Sequence, residues 1–181
     1  MRYLRTFLIT ATVLAFAAVG LSGMEAGRTG LVVPAPIFGD TPAIGLQHHF
    51  TPEISVRPLV GVGFERETSE DPDTTVSTLG LELDLGLNYH FVTTDMLSVY
   101  GALTPGLALV RTAVDIDGDD DSETETSYRL GLGAGVQHMF TNAFGLYADT
   151  GLRFNFDSDD DTTSLEIGTR TSNLGVIVYL N

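Results

Sequence analysis

The densest chemistry in this chain is one acidic run, Asp115-Ile-Asp-Gly-Asp-Asp-Asp-Ser-Glu-Thr-Glu125, which Asp157, Asp159, Asp160 and Asp161 supplement further on. Carboxylate oxygens suit Ca²⁺ and Mg²⁺. Asp115, Asp117, Asp119, Asp120 and Asp121 therefore form a candidate loop for weak divalent-cation binding, shared with lipopolysaccharide phosphates. A twelve-residue calcium loop needs Gly at its sixth place and Glu at its twelfth. Counted from Asp115, those places hold Asp120 and Thr126. The template fails, so a solvated acidic loop is the plainer expectation, with no firm metal site and no cofactor.

A second group mixes its signs: Arg57, Glu82, Asp84, Arg129, Asp149 and Arg153. Such a set could line a gated, narrow pore. With eight strands the plainer expectation is a structural salt-bridge network that plugs the barrel. The histidines, His48, His49, His90 and His138, alternate between opposite strand faces, so at most pairs could converge on a metal. A lipid-modifying enzyme would need a lipid-facing His with Ser and an acid beside it. His48 and His138 face outward near the short connections and have no Ser beside them on that face. Catalysis is not expected.

The elements that position these groups are strands. No helical stripe follows the N-terminal segment; strict alternation does, the two-residue period of a strand with unlike faces. From Leu79 to Phe91 one face reads Leu79, Leu81, Leu83, Leu85, Leu87, Tyr89, Phe91. The other reads Gly80, Glu82, Asp84, Gly86, Asn88, His90. The pattern recurs in Ile54–Phe64, Tyr128–Phe140, Phe144–Phe156 and about Ser172–Leu180. It is looser in Leu97–Val110 and short in Ala43–Phe50. An eighth strand is expected within Thr29–Phe38, despite Pro34 and Pro36, because single-chain bacterial barrels use even counts. Connections alternate between short (Thr51–Glu53, Val92–Met96, Thr141–Ala143) and long and polar (Thr68–Thr75, Ala113–Ser127, Asp157–Thr163).

The apolar face should meet lipid. A soluble barrel points its apolar side inward and carries many charges outside. Here the polar face is small, glycine-rich and mixed in sign, which suits a narrow interior where charges pair. Eight strands leave just enough room inside for side chains. Strand 79–91 gives about twelve steps of roughly 3.3 Å, so its tilted apolar face covers about 25–30 Å, the height of an outer-membrane band. Phe50, Tyr89, Phe91, Phe140 and Phe144 by the short turns, and Phe64, Tyr128, Phe154 and Phe156 toward the long loops, make two girdles. An open sheet edge in lipid would leave donors and acceptors unpaired, so the sheet must close.

Composition agrees. The 181 residues contain no cysteine, which excludes disulfides and thiolate metal sites. Nine basic residues, all arginine, stand against 24 acids, a formal charge of −15. That excludes nucleic acid as a partner. Met1, Arg2 and Arg5, the apolar run from Thr6 to Val19, and the small residues Ala17, Ala18, Gly20, Ser22 and Gly23 read as a signal peptide over residues 1–23, cut at about 20–26. The barrel domain then occupies 28–181.

The sequence resembles the small outer-membrane barrels of the OmpA-like and OmpX-like porin superfamily over about residues 28–181. The most specific residues lie in Asn173-Leu-Gly-Val-Ile-Val-Tyr-Leu180. There Asn173, Gly175, Val178 and Leu180 resemble the signal read by the barrel assembly machinery; the family pattern usually ends in Phe, this chain in Asn181. The resemblance implies insertion in the outer membrane, with membrane lipid, lipopolysaccharide and the assembly machinery as partners. The expectation is an all-β, eight-stranded, antiparallel up-and-down transmembrane barrel, monomeric, structural or interacting through acidic extracellular loops. The alternative is a narrow porin-like channel; a lipid-modifying enzyme and a soluble ligand-binding barrel stand behind it.

Overall fold

A computed structural model describes residues 25–36, 42–70, 73–116, 119–158 and 163–180. The expected signal peptide lies outside them. Eight antiparallel strands follow one another in chain order: β1 (Thr29–Pro36), β2 (Ala43–His49), β3 (Ile54–Glu70), β4 (Asp73–Thr93), β5 (Leu97–Ile116), β6 (Asp119–Met139), β7 (Phe144–Ser158) and β8 (Thr163–Leu180). Each pairs with its neighbour, and β8 returns to β1, so the sheet closes into a barrel. Closure removes the edge from the lower half, as lipid requires.

Alternation sorts the side chains. Leu83, Leu85, Leu87, Tyr89 and Phe91 lie exposed on the outside of β4, while Gly86, Asn88 and His90 are buried inside. Prolines mark where ladders break. The pairing of β2 with β3 skips from Leu59 to Val56, across Pro58, and that of β4 with β5 from Gly106 to Leu103, across Pro105.

One expectation is corrected. The described residues of the segments read as long polar loops are strand, with 71–72, 117–118 and 159–162 outside them. β3 and β4 remain paired up to Glu70↔Asp73, β5 and β6 up to Ile116↔Asp119, and β7 and β8 up to Ser158↔Thr163. Val76, Val114, Ile116, Thr124 and Thr126 supply β-branched residues, and β propensity with cross-strand pairing outweighs the local charge. The 21 residues of β4, tilted in the usual way, rise about 50 Å, well beyond an apolar band of ~25 Å. The outer half is thus a sheet of paired hairpins that stands clear of the membrane. By contrast β1 and β2, with 8 and 7 residues, stop far lower. Pro34, Pro36 and Pro42 flank their connection and lack backbone donors.

Candidate functional site

The interior holds two polar layers. The lower one lies near the short turns and is centred on Arg57 of β3. Its guanidinium donates to Asp149 Oδ2 of β7 at 3.1 Å, to Gln47 Oε1 at 2.9 Å and to Tyr100 Oη at 3.2 Å. Tyr100 in turn donates to Asp149 Oδ2 at 3.2 Å, and Asn173 donates to Oδ1 at 3.2 Å. The Arg57 guanidinium carbon lies 4.2 Å from the centroid of the Tyr147 ring, a cation–π contact. Tyr179 Oη accepts from the Gln47 and Gln137 amides at 3.1 Å each. Its own proton is then left for His49 Nε2, 2.6 Å away. His90 bridges Ser98 Oγ (2.6 Å) and Ser55 Oγ (2.9 Å). Gln47, His49, Ser55, Ser98 and Gln137 are fully buried. Buried polar groups need partners, and each of these has at least one, although His49 Nδ1 is left without a hydrogen bond.

The upper layer is Arg129 of β6, which reaches Glu82 at 3.2 Å and Asp84 at 3.3 Å on β4. Strand β5 lies between. It allows the contact because Gly106 stands in register with both Asp84 and Arg129; a Cβ there would overlap the Asp84 carboxylate. The lower layer repeats the device. Gly135 of β6 is in register between Tyr100 and Asp149, so the phenol reaches the carboxylate across an empty middle strand. Arg153 also takes an inward place, opposite Gly131 and Gly168. Beside Glu82 an open cavity of about 540 Å³ is lined by residues 63–67 of β3, Arg66 as well as Glu65 and Glu67, and by Thr78, Gly80 and Val110.

The acidic run falls at the outer ends of β5 and β6. Asp115 pairs with Asp120, and Asp121 with Val114, so its described residues belong to two paired strands. Asp117 lies outside the described residues. Among the described residues no group of three or more His, Asp or Glu is placed to hold a metal. His48 and His138 point outward at the short-turn rim, where each packs edge-on against a phenylalanine, Phe50 and Phe140. Inside, His49 and His90 face each other at 5.1 Å between ring centroids. Among the residues that resemble an assembly signal, Val178 and Leu180 are paired on β8 to Leu31 and Thr29 of β1, at the seam that closes the barrel. Gly175 lies under the Tyr147 ring.

Alternation in the sequence puts all six interior charges on the inner face, as found. It does not single out Gln47, Ser98, Tyr100 and Tyr179, the groups that join them. β2, β5 and β8 are recognised in the sequence by their apolar faces alone. The inner-face parity of the same strands is the signal that exposes these four.

A profile of the outer membrane protein beta-barrel domain matches residues 38–177. The chain belongs to that family. Among solved structures, this outer-membrane barrel is similar to Ail, the attachment invasion locus protein of Yersinia pestis. The identity is 15%, the TM-score 0.50, and the match covers 84% of this chain and 94% of that one. A structure of Ail in complex with the heparin analogue sucrose octasulfate matches at 16% identity and TM-score 0.51, with the same coverage. A major outer membrane protein from Thermus thermophilus matches at 14% identity and TM-score 0.54, covering 84% and 98%. At such identities the likeness is one of fold. No curated protein sequence matches the chain.

Proposed function

We propose that this outer-membrane barrel is a closed scaffold that presents an acidic outer sheet to ions, lipopolysaccharide or external partners. The observation that carries this reading is the filled interior. Arg57 and Asp149, with side chains 4% and 2% exposed, sit in a network whose members bond one another instead of lining an aqueous path. Solutes would have to break a buried ion pair to pass, and such breakage is costly. On this reading no reaction is catalysed: the outward histidines pack on phenylalanines and are not placed for lipid chemistry. The chain acts as a monomer, exported through its N-terminal signal and inserted by the assembly machinery through Asn173, Gly175, Val178 and Leu180. The sulfated ligand of the Ail complex does not suit a chain of charge −15; complementary partners here are cationic, and lipopolysaccharide is reached through divalent cations shared with its phosphates.

The test is conductance in planar bilayers, made with barrel refolded from detergent. The wild type should show no stepwise conductance. A steady conductance that changes in Arg57→Ala or Glu82→Ala would replace the scaffold by the narrow channel. In parallel, removal of residues 117–125 should leave folding intact and alter association with lipopolysaccharide or cells. An unchanged surface phenotype would reduce the role to a structural one.

A further inference from the structure

Among the described residues the barrel wall has a notch. β3 is paired with β2 only as far as Gly61, with Val62 N–H donating to Pro42 O just above, yet β3 runs on to Glu70. β8 is paired with β1 from Asn173 downward, yet it begins at Thr163. Nine residues of β3 and ten of β8 therefore continue beyond these two ladders. Six residues, 37–42, join β1 to β2. A hairpin formed from them adds at most three to each arm. Residues 65–70 of β3 and 163–169 of β8 stay beyond its reach. The two strands that stop short would have filled this gap, so it is two strands wide, about 14 Å between the flanking strands at ~4.8 Å per step.

Both edges of the notch carry the same pattern. On β3 the inward places are Glu65 and Glu67, while Phe64 is outward and 70% exposed. On β8 the bulge opposite Asp149–Gly151 changes the parity. Glu166 then pairs with inward Asn155, while Leu165 and Ile167 pair with outward Phe156 and Phe154. Leu165 and Ile167 are 57% and 61% exposed. Acid faces in on each side, and the outward places carry Phe64, Leu165 and Ile167, with Arg66 the one cation among those of β3 between Phe64 and Thr68. Strand edges left open in this way accept added strands.

We propose that the notch receives an extended cationic β-hairpin, two antiparallel strands in which basic and apolar residues alternate. The hairpin pairs its outer edges with β3 and β8. Its basic side chains turn inward to Glu65, Glu67 and Glu166. Its apolar side chains turn outward beside Phe64, Leu165 and Ile167, and complete the apolar wall. This rests on the surface-interaction reading and names the chemistry of the partner.

The probe is a synthetic hairpin peptide of alternating Arg and Val around a tight turn, titrated by fluorescence anisotropy into the folded full barrel in zwitterionic micelles. Two control peptides share its charge: one with Arg and Val in blocks, one with the backbone amides of its outer edges N-methylated. The alternating peptide should bind about ten-fold more tightly than either, since charge attraction is common to all three, while the block peptide loses the match of basic and apolar faces and the N-methylated one the edge hydrogen bonds. Glu65→Gln, Glu67→Gln and Glu166→Gln together should weaken it by about ten-fold, in a barrel that still shows its heat-modifiable gel shift. Equal binding of the three peptides, or no binding, overturns the notch proposal. It leaves the scaffold reading standing, because that reading falls on conductance and on the 117–125 deletion instead. Should the triple variant fail to fold, the N-methylated peptide on wild-type barrel decides alone.

Discussion

Arg57 of β3 and Asp149 of β7 meet across the lumen at 3.1 Å, each nearly out of contact with water. They lie four strands apart in chain order, and the closed ring brings them face to face. A charge left alone in this setting has no water to turn to. Arg57→Met and Asp149→Asn should each destabilise the barrel by about 3–5 kcal/mol. The double variant should cost less than the sum, with a coupling of about 1–3 kcal/mol. Urea unfolding in lipid vesicles, followed by the gel shift, gives both numbers; strict additivity would show that the pair is not energetically joined.

Tyr179 is the common partner of Gln47, His49 and Gln137. Tyr179→Phe keeps the ring and removes the hydroxyl, so three buried groups lose a bond at once. The expected loss is about 1–3 kcal/mol in the same assay. Tyr128→Phe is the control, since Tyr128 is an exposed girdle residue; a comparable loss there would mean that the assay reports something other than the interior network.

Glycine makes two kinds of position inside this barrel. A Cβ at Gly135 would run into the Tyr100 ring and Ala148 O, and one at Gly151 into the backbone of Leu132 and Gly133. At Gly80 and Gly168 nothing lies within 4 Å. Gly135→Ala and Gly151→Ala should therefore cost about 1–3 kcal/mol, while Gly80→Ala and Gly168→Ala should change stability by less than about 0.5 kcal/mol. Four equal results would show that the crowding of the interior is not what sets the cost.

Much of this architecture is legible in the sequence, for a physical reason. Lipid outside and a narrow polar lumen inside impose opposite demands on successive residues, and Leu79–Phe91 writes them out as strict alternation. The same parity puts Arg57, Glu82, Asp84, Arg129, Asp149 and Arg153 inside. It does not say that Arg129 serves Glu82 and Asp84 while Arg57 serves Asp149, because partner choice depends on register. Gly106 and Gly135 hold the key to that register, and they look like any other inward glycine in the sequence. The outer ends mislead for a different reason. Asp, Glu, Ser and Thr suggest loops, but Thr74–Thr78 and Thr124–Thr126 lie on strands held by long ladders, and pairing prevails over composition.

The β5–β6 hairpin tip gives the last prediction. Among the described residues, Asp119–Thr126 of β6 pair with β5 alone, since pairing with β7 begins at Ser127. The membrane-spanning half therefore does not lean on the tip. Replacing residues 113–122 by Asn-Gly, between the paired Thr112 and Glu123, should yield a tight two-residue turn that suits the strand twist. The exchange removes Asp115, Asp117, Asp119, Asp120 and Asp121, which takes the formal charge from −15 to −10 (−15 plus the 5 acids lost). The shortened barrel should keep its gel shift and lie within about 1 kcal/mol of the parent. Calorimetric titration with Ca²⁺ should show no site in the parent tighter than a Kd of about 10⁻⁴–10⁻³ M, and shortening should abolish any weaker uptake. If the shortened chain no longer folds, the hairpin is part of what stabilises the barrel. If Ca²⁺ binding survives intact, the cation sits elsewhere, and the acidic tip serves only to carry charge.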